Sequence, residues 1–172
     1  MVHERRILSS DARIVFDLEY RPNLGLATAV SRCVLAFCMR YVRDTEVLSR
    51  LRIATQELLE NAALYALDGT TRVRIEIAEE GAKIVISVRV TNRAEAEDIA
   101  RLRESFSGLE QATDGRDHYE VLMRGVAKGE RLSGLGLGRI YAEPEMRVGF
   151  EVDEDQVSVV ATTRCSKEVV DE

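Results

Sequence analysis

Arg72-Val73-Arg74-Ile75-Glu76-Ile77-Ala78-Glu79-Glu80-Gly81-Ala82-Lys83-Ile84-Val85-Ile86-Ser87-Val88-Arg89-Val90 is the stretch that decides the fold. Val73, Ile75 and Ile77 alternate with Arg72, Arg74 and Glu76. Beyond Glu80-Gly81, Ile84, Ile86, Val88 and Val90 repeat the same spacing. A period of two puts every second side chain on one face of a strand, and a glycine-bearing break between two such runs reads as a hairpin. Hairpins join antiparallel neighbours without crossover helices, so a doubly wound parallel sheet is excluded.

Upstream, Ala12, Ile14, Phe16, Leu18 and Tyr20 alternate with Arg13, Asp17 and Glu19, a strand broken by Arg21-Pro22-Asn23. Leu24 to Val42 then carries Val30, Cys33, Val34, Phe37, Cys38 and Tyr41 at spacings of three and four. That is one stripe of a helix, with Asn23 placed to cap it and both cysteines read as core fillers. Asp44 or Thr45 caps a longer helix, Glu46 to Leu67, whose buried stripe is Val47, Leu51, Ala54, Leu58, Ala62 and Tyr65. Gly69 suits the left-handed turn that follows.

Downstream, the pattern predicts a helix over Ala94 to Phe106 and a second short one around Tyr119 to Val126. A glycine-rich loop, Leu132 to Gly138, opens a helix running to about Glu143. Met146 to Val152 and Val157 to Thr163 form a last hairpin around Asp153-Glu154-Asp155. The fold class is therefore α+β: a two-layer α/β sandwich, its sheet mixed and largely antiparallel, its helices on one face. An N-terminal arm at 1–11, a single domain over 12–164 and an acidic tail at 165–172 complete the division.

Composition narrows the chemistry. The 172 residues hold 24 Lys and Arg against 30 Asp and Glu, a net charge of −6, where a general nucleic-acid binder carries a basic surplus. Aromatic residues are 5% and tryptophan is absent, so stacking platforms for single strands are poorly supplied. No apolar run approaches the roughly 18 residues of a membrane span, and the N-terminus has no apolar signal core. Cys33, Cys38 and Cys165 have no CxxC spacing, which argues against a disulfide framework or a zinc site and makes a reduced, cytoplasmic protein the expectation. With only His3 and His118 in the chain, a histidine-based triad would have to use His118.

Two motifs remain that could carry chemistry. In Gln56-Glu57-Leu58-Leu59-Glu60-Asn61-Ala62-Ala63-Leu64-Tyr65-Ala66, Glu57 and Asn61 lie four apart on one helix face. A carboxamide oxygen beside a carboxylate suits a hard cation carrying phosphates, with the carboxylate as base or water-orienter; alone, the pair also reads as a polar stripe on an amphipathic helix. In Ser133-Gly134-Leu135-Gly136-Leu137-Gly138, alternating glycines let backbone amides approach an anion. No strand precedes this run as a dinucleotide-binding turn requires, and no Gly-Lys-Ser/Thr follows as in a P-loop.

Taken in order, the Glu57–Asn61 helix, a hairpin, a helical insertion and the glycine run before a final hairpin resemble the GHKL superfamily of ATP-binding domains. That superfamily includes gyrase- and chaperone-type ATPases, histidine-kinase catalytic domains and anti-sigma-factor serine kinases. The likeness covers about residues 12–164, and Glu at position 57 is most similar to the small bacterial anti-sigma-type regulators. The resemblance implies the Bergerat sandwich, with ATP and Mg²⁺ as cofactors and the insertion of about 94–132 in the place of the lid. It implies Asn61 as the Mg²⁺ ligand, Glu57 as the base, and Gly134, Gly136, Leu137 and Gly138 at the phosphates. Two features depart from the pattern. Where the superfamily has Asp-x-Gly-x-Gly, this chain has Thr91-Asn92-Arg93-Ala94-Glu95, leaving Asn92 as a neutral partner for the base and Arg93 as an alternative occupant of the purine end. A basic residue three places after the Asn is replaced by Leu64.

The expectation is a bacterial signalling regulator that works by protein–protein interaction, with nucleotide binding weak or lost. Its partner would be an anti-sigma antagonist, a receiver domain or a sigma factor, with a homodimer as a further form and no role for nucleic acid or membrane. The alternative is an active serine/threonine protein kinase using Mg-ATP.

Overall fold

The computed structural model describes residues 13–67, 69–111, 119–120, 123 and 135–167. The N-terminal arm at 1–11, Gly134, His118, the tail beyond Lys167 and most of the insertion past Gln111 lie outside them. In chain order the elements are β1 (Arg13–Tyr20), α1 (Leu24–Cys38), α2 (Thr45–Tyr65), β2 (Thr71–Glu80), β3 (Lys83–Arg93), α3 (Ala96–Gln111), α4 (Leu135–Ala142), β4 (Arg147–Asp153) and β5 (Gln156–Ser166).

The strands form a five-stranded sheet in the order β1-β2-β3-β5-β4, and every pairing is antiparallel. The hairpin read from sequence is β2–β3, closed at Gly81, whose φ of +62° is the left-handed conformation that favours glycine. β1 and β4 are the sheet edges. Val73, Ile75 and Ile77 on β2 and Ile86, Val88 and Val90 on β3 face one way and are buried, as the period of two requires. The other face carries charge: Arg72 and Arg74 both bind Asp17, and Arg89 binds Glu151.

All four helices described pack on the apolar face. Asn23 caps α1 by accepting from the Leu26 amide at 2.8 Å. Asp44, rather than Thr45, caps α2, its Oδ1 accepting from the amides of Glu46 and Val47 at 2.9 and 3.1 Å. The predicted α2 stripe is buried from Val47 to Ala62, but Tyr65 is 42% exposed. Burial extends instead to Thr55 and Leu59, because α2 packs on both the sheet and α1 and needs a wider apolar arc. On α1, Val30, Val34 and Cys38 are buried as read, whereas Cys33 faces outward, which corrects its assignment to the core. Burial pushes the Cys38 thiol up to about 11. α3 begins two residues later than predicted and docks Phe106 on Phe150 of β4, ring centroids 4.4 Å apart.

Two outcomes follow. Asp44→Ala removes the acceptor of two helix-end amides, and is expected to cost about 1 kcal/mol and lower the melting temperature by about 2–4 °C, read by calorimetry. The hydrogen bonds of Arg72, then Arg74, hold the Asp17 carboxyl below its ordinary range. A carboxyl lowered on folding stabilises the native state above its unfolded value of about 3.9, and loses that contribution as the pH falls through the folded value. Urea unfolding is therefore expected to show Asp17→Asn less stable than the parent at about pH 7, with the difference shrinking as the pH falls below about 3.9 and through the lowered folded value.

Candidate functional site

The buried stripe of α2 leaves its neighbouring edge half-buried, and Glu57 and Asn61 both stand on that edge. The edge looks across to α4 and down onto the ends of β3 and β5, with α3 closing the far side. Between these elements lies a cleft of about 890 Å³, within the range of small-molecule and cofactor sites. Glu57, Asn61, Asn92, Gly136 and Leu137 all line it, and Leu58, Ala62, Val90, Val157 and Val159 give it an apolar floor. Five of the residues singled out from sequence thus meet in one place, from three separate elements.

Glycines 136 and 138 lie within α4 rather than in a loop before it, since the helix starts at Leu135. Two glycines weaken a helix, and this one is held by packing, with Leu137 2% and Ile140 0% exposed. Gly136 meets Glu57 closely: a Cβ built there would lie 2.6 Å from Glu57 Oε2. One turn on, the Arg139 guanidinium donates from Nη1 to Glu57 Oε1 at 2.9 Å. Gly136 and Arg139 are three apart, so one face of α4 supplies both the room for the carboxylate and its counter-ion. Gly138 is buried and does not line the cleft.

Asn92 lines the cleft, while its side-chain amide donates to the Arg93 carbonyl at 2.9 Å. β3 stays paired through the position where the resemblance places a glycine box. Its ladder continues through Asn92–Val157 and Arg93–Gln156, helped by a 2.7 Å hydrogen bond between the hydroxyls of Thr91 and Ser158. Arg93 does not occupy the purine end, since its guanidinium binds Asp155 in the β4–β5 turn.

Sequence reasoning missed Asp98, Arg101 and Ser105, which project from α3, while Leu64, the position of the replaced basic residue, stands with Tyr65 exposed at the rim. The signal on α3 was its three- and four-residue spacing, where Arg101 pairs with Glu97 and Asp98 at 2.8 and 3.1 Å. Only the fold shows that this face looks onto the cleft.

The cleft suits a nucleotide in size and in its apolar floor. Among the described residues no group of three or more His, Cys, Asp or Glu is placed to hold a metal ion. A Mg²⁺ held at Asn61 would have to take most of its ligands from phosphates and water, which is how that ion commonly binds. At the base end, Asn92 offers a carboxamide where the resemblance calls for a carboxylate.

Among the described residues no helix is long and apolar enough to cross a membrane. No family model matches the chain, and no curated protein matches it in sequence. Among solved structures, a chain of the SiaB-SiaC complex from Pseudomonas aeruginosa superposes on 87% of this chain and 89% of its own length, with a TM-score of 0.59 and 14% identity. At that identity the likeness is one of fold.

Proposed function

We propose that this chain is a bacterial signalling regulator that acts by binding another protein, on an ATPase-like scaffold whose cleft binds nucleotide weakly. The observation that carries the reading is the state of the cleft's polar groups. Glu57, the carboxylate expected to act as base, is held by Arg139, and the Asn92 amide is turned to the Arg93 carbonyl. A ligand must displace the first contact and finds no carboxylate at the second position. A polar site that leaves a ligand group unpaired forgoes about 1–3 kcal/mol.

Two features support action through a protein partner. The solved structure of like fold is itself a protein–protein complex. At the other end of the sheet, β1 is an edge strand and the first turn of α1 exposes Leu24 and Leu26, 55% and 42% accessible. Open strand edges and neighbouring apolar side chains are common docking features. An anti-sigma antagonist, a receiver domain or a sigma factor is the partner class this reading favours.

The second reading, a serine/threonine kinase, is favoured by the convergence of Glu57, Asn61 and Gly136 on one cleft. There Asn61 would hold a phosphate-bound Mg²⁺ and Glu57 would take the proton of a partner's hydroxyl.

Calorimetric titration with Mg-ATP separates the two. The regulator reading expects a Kd weaker than about 10 µM, equivalent to roughly −7 kcal/mol. Tighter binding together with transfer of labelled phosphate to a protein serine or threonine would replace it with the kinase. Leu26→Glu is expected to weaken capture of the partner at least about tenfold without changing the melting temperature by more than about 2 °C.

A further inference from the structure

We propose that Arg139 makes the cleft selective for a phosphate-bearing ligand, and that it does so by exchanging Glu57 for the ligand's anion. The proposal rests on the reading that the cleft takes a nucleotide, and names the group that distinguishes a nucleotide from an uncharged nucleoside.

The geometry separates a fixed partner from a movable one. Glu57 is set on α2, its side chain 16% exposed and wedged beside Gly136, whereas the Arg139 side chain is 49% exposed. Their contact is single: one guanidinium nitrogen on one carboxylate oxygen, 2.9 Å apart. A guanidinium carries five N–H donors, and its preferred partner is an anion that accepts two of them in parallel, as phosphate oxygens do. Arg139 does not itself line the cleft but is bound to Glu57, which does, and Arg101, the cation among the described lining residues, is already shared between Glu97 and Asp98. The remaining charges on the cleft wall, Glu57, Glu60 and Asp98, are negative. A polyanion entering this wall meets repulsion unless a guanidinium turns toward it, and among the described residues Arg139, half-exposed and in contact with Glu57, is the one placed beside it. The same movement releases Glu57, so ligand entry and exposure of that carboxylate are one event.

The test uses the full chain and two probes, Mg-ATP and adenosine, with binding read by calorimetry or NMR titration and folding checked by thermal melts. In Glu57→Gln the competing carboxylate is gone, and ATP is expected to bind at least about fivefold tighter than to the parent. Adding Arg139→Gln to that variant is expected to erase the gain. Adding Arg139→Lys is expected to restore only part of the gain, because the charge returns without the guanidinium's paired donors. Adenosine affinity is expected to be the same in all four proteins, which a merely structural role for Arg139 would not allow. A Glu57→Gln/Arg139→Gln protein that binds ATP as tightly as Glu57→Gln overturns the exchange, because the gain then came from removing a negative charge alone. Absence of ATP and adenosine binding in the parent and in Glu57→Gln at about 5 mM also overturns it. That last result leaves the partner-binding reading standing on its own interaction test.

Discussion

Leu51, Leu58 and Leu59 of α2 are sealed against the sheet and the neighbouring helices, and on this contact the geometry of the cleft depends. Each is at most 2% exposed, and truncation of such a residue to alanine costs about 2–5 kcal/mol. Against a total stability of about 5–15 kcal/mol for a domain, α2 cannot loosen without endangering the whole fold. Because Leu58 and Ala62 are pinned to the sheet, Glu57 and Asn61 project from one fixed edge. The sheet supplies the floor beneath them through Val90, Val157 and Val159. Site and core are therefore one construction, with polar groups placed at the margin of the apolar contact.

The two faces of the sheet use charge differently. On the open face, Asp17 with Arg72 and Arg74, and Arg89 with Glu151, sit in water, where such pairs contribute little and are screened by salt. The pair of Glu57 with Arg139 stands between regimes, its carboxylate mostly covered and its guanidinium half-exposed. A covered carboxylate is costly to leave without a partner, so a state in which Arg139 has turned from Glu57 requires water or another hydrogen-bond donor to take its place. That constraint links any ligand of the cleft to the position of α4.

Much of this was legible in the sequence, for identifiable reasons. The hairpins and helices followed from periods of two and of three to four, since one buried face imposes the pattern residue by residue. The meeting of Glu57 and Asn61 with Gly136 and Leu137 followed from motif order. Arg139 did not: its partner lies 82 positions away, and no local pattern marks a pair formed only by packing α4 on α2. The continuation of β3 through Asn92 and Arg93 was hidden because those residues are poor strand formers, and their place is secured by the β5 ladder and by Asp155. Tyr65 and Cys33 fitted a helical stripe by spacing and yet face outward, because spacing gives the direction of a side chain but not how far the neighbouring layer extends.

The central proposal is that a single cleft, framed by α2, the ends of β3 and β5, α3 and α4, is where this chain would take a nucleotide. Amide chemical-shift mapping of the full chain during titration with Mg-ATP to about 5 mM tests it most directly, since weak binding on the scale of −4 kcal/mol is still visible at that concentration. The account expects shifts concentrated at Glu57, Asn61, Asn92, Gly136 and Leu137, with the open face of the sheet at Arg72, Arg74 and Arg89 unmoved. Shifts confined to that open face, or none at the cleft, would contradict it.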